Sequence, residues 1–226
     1  MSSRASRRAR GRQIEAGRHG QLDVESISGA TRQVGALRIG SRDNSVAVDV
    51  SKLEAPTQAY DSDTTWIVYR TGRLSLFFGK RSVSEPGTLQ SSLEIRYPPE
   101  DFLNTWKASS DFFGQLNTYA NGWDAAARKV DPLSGPPRPK VTHSEWVTFA
   151  AISHSGTEAA LDFYHMSTQA IARFTLTHSV EGMKLRPIVR VQMTTFDLLD
   201  LVEQLRPIAD DIAAKLPAVH QDTVSE

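Results

Sequence analysis

The chain has no cysteine. Disulfide staples, thiolate metal sites and cysteine nucleophiles are therefore excluded. It also lacks an excess of either charge. Lys plus Arg number 26 and Asp plus Glu 26, so no whole-molecule field draws it to nucleic acid or to a membrane. No apolar run approaches the ~20 residues that a membrane-spanning helix needs. The basic start has no apolar stretch behind it, which is not the pattern of a secretory signal. Cytoplasmic is the expected compartment. Phosphate-binding loops are missing too: Gly72 and Gly79 stand alone and no GxxxxGK[ST] spacing occurs, so nucleotide-consuming chemistry is not expected.

What is present suits a globular protein. At 226 residues and 39% apolar, the chain can build one good core, or two small halves that share one. The basic residues are unevenly placed. Arg4, Arg7, Arg8, Arg10, Arg12 and Arg18 crowd the start against Glu15 alone. Residues 1–30 carry little apolar payload and read as a disordered Arg-rich tail. Such a tail is a solvated extension, or an anchor for RNA, DNA or an acidic partner.

Order is expected from about Val34, with a hairpin over Leu37–Ile39 and Val46–Val50 around Asp43-Asn44. Ser51 to Asp63, with Pro56, reads as a polar connection. A first strand-rich half, 31–122, then holds Thr65–Arg70, the turn Thr71-Gly72, Leu74–Phe78 and Leu89–Tyr97. Glycine accepts the positive φ that such a turn needs. Pro98-Pro99 stops the last strand. A helix follows, with acidic Glu100 and Asp101 at its positive dipole end and Asn121-Gly122 at its close. Residues 123–142 read as a linker. The second half, 143–217, holds the runs Trp146–Ile152, Ala159–Tyr164, Ile171–His178 and Leu185–Met193, with a turn at Ser155-Gly156. A long helix from Thr195 to Leu216 closes it. Leu198, Leu201, Val202, Leu205, Ala209, Ile212 and Leu216 form its stripe to bury. Thr194 or Thr195 is its expected cap, Pro207 its expected kink or restart, and 218–226 a mobile tail.

The fold class is thus α+β: antiparallel and strand-rich, with one amphipathic helix per half. The halves echo each other. Trp66-Ile67-Val68 matches Trp146-Val147, and Leu76-Phe77-Phe78 matches Leu161-Asp162-Phe163. Leu93-Glu94-Ile95-Arg96 matches Ile188-Val189-Arg190-Val191, and Pro98 to Leu103 matches Thr194 to Leu199. Internal duplication of a strand-strand-strand-helix unit gives this order. So do two unrelated units of the same plan.

Few residues suggest chemistry. His143, His154, His165 and His178 are spaced so that each could end a strand, with no HxH or HExxH pattern to gather them on a metal. Ser153-His154-Ser155 with Asp162 has the residue types of a nucleophile triad. Strand neighbours point to opposite faces, however, and no nucleophile elbow is present. Arg186 and Arg190 share a strand face, and with nearby aromatics they could contact single-stranded nucleic acid. Trp66, Tyr69, Phe77, Phe78, Phe112 and Phe113 concentrate in the first half. The adjacent pairs Phe77-Phe78 and Phe112-Phe113 need burial on two sides, or leave a ring exposed for a partner.

Two families enter here. Residues 145–205, with Ser153-His154-Ser155, Ala160-Leu161-Asp162-Phe163, Arg190-Val191 and the helix at Leu198, resemble a family of short bacterial proteins of unknown function. That resemblance implies a small sheet-plus-helix domain and no activity. Val50-Ser51-Lys52-Leu53-Glu54-Ala55-Pro56 is similar to the early V-S-F-E-A-P of SecB-type export chaperones. This second resemblance implies an oligomer that holds unfolded polypeptide in apolar grooves without catalytic residues. The expected function is a non-enzymatic protein-binding module or adaptor. It needs no cofactor or metal, associates with itself, and binds a protein partner or unfolded polypeptide. The alternative is a nucleic-acid-associated protein using Arg4, Arg7, Arg8, Arg10, Arg12, Arg186 and Arg190.

Overall fold

The computed structural model describes residues 22–27, 30–40, 45–70, 72–82, 84, 88–121, 138–167, 169–170 and 184–216. In chain order the strands begin with β1 (Asp23–Ile27), β2 (Ala30–Val34), β3 (Ala36–Gly40) and β4 (Ser45–Asp49). A single 3-10 turn, Val50–Lys52, leads to β5 (Ala59–Asp61), β6 (Thr64–Arg70), β7 (Arg73–Arg81) and β8 (Thr88–Tyr97). Two helices follow, α1 (Pro99–Ala108) and α2 (Ser110–Asn121). Then come β9 (Arg138–Trp146), β10 (Phe149–Ser155), β11 (Glu158–His165), β12 (Arg186–Thr194) and α3 (Thr195–Lys215). The fold is mixed α+β, as the alternation predicts. One sheet has the order β6-β7-β8-β9 and a larger one β1-β2-β10-β11-β12-β5, while among the described residues β3 and β4 pair only with each other.

Alternation decides which side chains meet. Leu74, Leu76 and Phe78 of β7 and Leu93, Ile95 and Tyr97 of β8 are buried on one face of the four-stranded sheet. Leu161 and Phe163 of β11 with Val189 and Val191 of β12 answer from the larger sheet. The rings of Phe78 and Phe163 meet at 5.7 Å. Phe102 and Leu103 of α1 and Leu198, Leu201, Val202 and Leu205 of α3 complete the same core. Each such side chain contributes ~1.5–3 kcal/mol by leaving water.

The two units repeat in register. Gly72 (φ 73) and Gly156 (φ 59) carry the turns that fold β6 onto β7 and β10 onto β11. Arg70 pairs with Arg73 as Ser155 pairs with Glu158, and Leu76 with Ile95 as Leu161 with Val191. Even isolated bonds recur. Val147 N donates to Arg96 O and Ser62 N to Gln192 O; Thr148 N donates to Tyr164 O and Asp63 N to Gly79 O. A leading strand precedes each unit and is exchanged. β5 runs into β6 but pairs parallel with β12, and β9 runs into β10 but pairs parallel with β8. Each unit thus completes the other's sheet.

The true equivalences correct two of the echoes. Leu76 and Phe78 do match Leu161 and Phe163, and Pro98 to Leu103 do match Thr194 to Leu199, with Phe102-Leu103 and Leu198-Leu199 buried alike. Trp66 does not match Trp146. Trp66 lies in β6, and Trp146 ends the exchanged strand β9. Leu93 matches Val189, not Ile188, because Leu93 pairs with Phe78 where Val189 pairs with Phe163.

Other expectations shift for physical reasons. The stretch 1–30, expected to be disordered, contains β1, and β2 precedes the expected onset of order at Val34, because β2 pairs with β10 and Leu22 N donates to Ala108 O at 3.1 Å. The polar connection 51–63 contains β5, and the linker 123–142 contains the start of β9. The run Trp146–Ile152 breaks at Val147-Thr148, where the chain changes sheets. The first-half helix is two helices. Ser109 stands between them, fully buried, donating to Thr105 O and accepting from Gln33 Nε2 at 2.8 Å. α3 runs unbroken through Pro207, whose ring is exposed. The expected strand Ile171–His178, residues 1–21 of the expected Arg-rich tail 1–30, and the tail 218–226 lie outside the described residues. Among the described residues no helix is long and apolar enough to cross a membrane.

Candidate functional site

The outer face of the four-stranded sheet is built in two rows that the register fixes. One row runs Trp66, Phe77, Glu94, Ser144. The next runs Val68, Ser75, Arg96, Trp146. Trp146 is 47% exposed, an unusual position for the largest apolar side chain. Trp66, Val68 and Phe77 are half-buried beside it.

Between the aromatics lies a charged cluster. Glu94 is only 6% exposed. Its carboxylate accepts from Ser75 Oγ at 2.9 Å, Ser144 Oγ at 2.7 Å and Arg96 Nη2 at 2.7 Å. Burial opposes its charge, but the bonds from Arg96, Ser144 and Ser75 prevail and hold its pKa at about 2. Arg96 is in turn held charged by Glu94, and its guanidinium carbon lies 6.0 Å from the Trp146 ring centroid. A carboxylate this acidic is a poor proton acceptor at neutral pH. Its role here is to fix Arg96, and through it the exposed indole.

The larger sheet supplies an internal comparison. At the backbone positions of Trp66, Val68, Phe77 and Trp146 it carries Ala151, Ser153, Asp162 and Asp61. Glu94 is replaced by Arg190, which binds Asp162 through Nε at 2.6 Å and Nη2 at 2.7 Å. At these positions one backbone plan bears aromatic and apolar side chains in one unit and small or polar ones in the other, while one row further the order reverses: Thr64 and Gly79 stand where Phe149 and Tyr164 pair and are buried. The strands do not require those aromatics in order to form.

Of the expected contact residues, Trp66 and Phe77 stand on this face. Tyr69 is half-buried and packs against the core from the other side. Phe78 (1% exposed), Phe112 (1%) and Phe113 (9%) are core side chains. A second layer covers these three, so of the paired phenylalanines Phe77 alone stands on the outer face. Sequence reading missed Trp146 and Val68. The available signal was Trp146 alternating with Ser144 at the end of a polar stretch.

Arg190 is occupied by Asp162, and Arg186 is exposed at the start of β12. Arg4, Arg7, Arg8, Arg10 and Arg12 lie outside the described residues. His154 points inward against Phe112 (5.6 Å) and Tyr119 (5.3 Å), and burial lowers its pKa. Asp162 lies on the outer face with Ser153, so no triad is assembled. His143 bonds Glu145 at 2.8 Å and stacks on Tyr60. His178 is outside the described residues. Among the described residues no three His, Asp or Glu side chains gather as metal ligands.

Comparison with family models, with curated proteins and with solved structures finds no match for this chain.

Proposed function

We propose that this protein is a non-enzymatic binding module whose ligand is a polypeptide offering apolar side chains. The outer face of β6–β9 receives it, with Trp66, Phe77 and Trp146 as anchors. One observation carries the reading: Trp66, Phe77 and Trp146 stand where the other sheet has Ala151, Asp162 and Asp61, and Trp146 is exposed. Exposed tryptophan held by a buried ion cluster is what a contact centre needs, being large, rigid and cheap to immobilise. The resemblance of Val50–Pro56 to SecB-type chaperones favours an unfolded chain as ligand, acting in the cytoplasm.

The test is a binding titration by fluorescence anisotropy with a labelled, permanently unfolded polypeptide. Trp146→Ser with Phe77→Ser should weaken binding at least tenfold, about 1.4 kcal/mol. Ser153→Ala, on the other sheet at the position equivalent to Val68, should leave it unchanged. Equal binding by all three proteins would refute the reading. Nucleic-acid association through the basic tail predicts a steep salt dependence instead, lost on deleting residues 1–20.

A further inference from the structure

Exposed sheet edges are normally blunted, because free backbone groups invite another strand. Three of the edges here follow that rule. β1 carries Asp23 and Glu25, β5 is only three residues long, and β9 carries Pro139, Lys140 and Glu145. β6 does not. It is seven residues long, Thr-Thr-Trp-Ile-Val-Tyr-Arg, without proline or acid and with its one charge at the turn. Among the described residues it pairs with β7 alone.

The repeat shows what such an edge takes. The strand equivalent to β6 is β10, and its outer edge is filled by β2. Ser153 pairs with Arg32, His154 with Thr31 and Ser155 with Ala30, all antiparallel. Just beyond, Ile152 N donates outward to Gln33 Oε1 at 2.9 Å. Ile67 holds the place of Ile152, since Ile67 pairs with Leu76 as Ile152 pairs with Leu161. Its N–H therefore points out of the sheet in the same way.

We propose that β6 pairs antiparallel with β6 of a second copy of this chain, about a two-fold axis at Ile67. The strand is complementary to itself in that register. Ile67 meets Ile67 and the two exchange both backbone bonds. Trp66 lies opposite Val68, Thr65 opposite Tyr69, and Thr64 opposite Arg70. Large side chains face smaller ones, and no like charges are opposed. Pairing β6 with β1 or β9 of another copy would set Asp23 and Glu25, or Lys140 and Glu145, against an apolar strand. It would also be head-to-tail and need not close. The self-pairing joins two four-stranded sheets and sets two Trp66–Phe77–Trp146 faces side by side.

Mass in solution, measured by light scattering on the full chain, tests this. The wild type should be a dimer. Ile67→Pro removes the outward N–H and leaves the bonds to β7, so it should be a monomer with unchanged circular dichroism. Should that proline unfold the strand, charge pairing decides. Trp66→Lys with Val68→Lys, and Trp66→Glu with Val68→Glu, should each be monomeric alone and form a one-to-one dimer when mixed. A monomeric wild type, a dimer that survives Ile67→Pro with native circular dichroism, or a mixture that stays monomeric would overturn the inference. A monomeric wild type that still binds unfolded polypeptide would overturn it alone and leave the proposed function standing.

Discussion

Glu94 shows how a single residue organises a face. Three donors converge on its carboxylate, and one of them, Arg96, is held beside the Trp146 ring. Glu94→Gln should cost about 1.5–3 kcal/mol, the range for hydrogen bonds to a charged group, as read from urea unfolding at pH 7. The pH dependence follows. The folded pKa of about 2 lies below the ordinary 4.5, so the stabilisation is full above pH 4.5 and is lost as pH falls toward 2. The gap between wild type and Glu94→Gln should close over that window. Asp101 has the opposite sign. Burial first, and Glu100 second, raise its pKa from 3.8 to about 6. The folded state holds its proton where the unfolded state has lost it, so stability falls as pH rises from about 4 to 6. Asp101→Asn should raise the urea midpoint at pH 7.5 and leave it nearly unchanged at pH 4.

Elements with strong local signals were legible in the sequence. α3 is the clearest: its apolar stripe is buried as expected, and Thr194 forms a capping box with Asp197. Thr194 Oγ1 accepts from Asp197 N at 3.1 Å, and Thr194→Ala should lower stability by about 1 kcal/mol in thermal or urea unfolding. The hairpins at Gly72 and Gly156 were legible for the same reason, since each turn needs a positive φ. Elements fixed by distant partners were not legible. The break between α1 and α2 depends on Gln33 bonding Ser109 from across the chain. β5 and β9 are polar edge strands whose parallel partners belong to the other unit. The paired phenylalanines misled for a related reason. Phe78, expected among the contact residues, is covered by Phe163 from the other sheet, and Phe77 is the ring of that pair left on the outer face.

At the scale of the whole molecule, the exchanged strands make the two units one body. Phe78, Tyr97 and Phe163 meet where the sheets face each other. Phe163→Ala should destabilise by about 3–5 kcal/mol, and the loss should be felt by both sheets at once. Far-ultraviolet circular dichroism and tryptophan fluorescence should then unfold in coincident transitions. Separate transitions would mean that the units stand independently. The aromatic echoes suggested a repeat, but only the register showed which residues correspond, and so which sheet bears the unusual face. A photocrosslinker compares the two faces directly. Benzophenone is placed at position 146 in one protein and at the equivalent position 61 in another, and each is irradiated with unfolded polypeptide. Covalent capture is expected from position 146 and none from position 61. Equal capture from both, or capture from 61 alone, would contradict it.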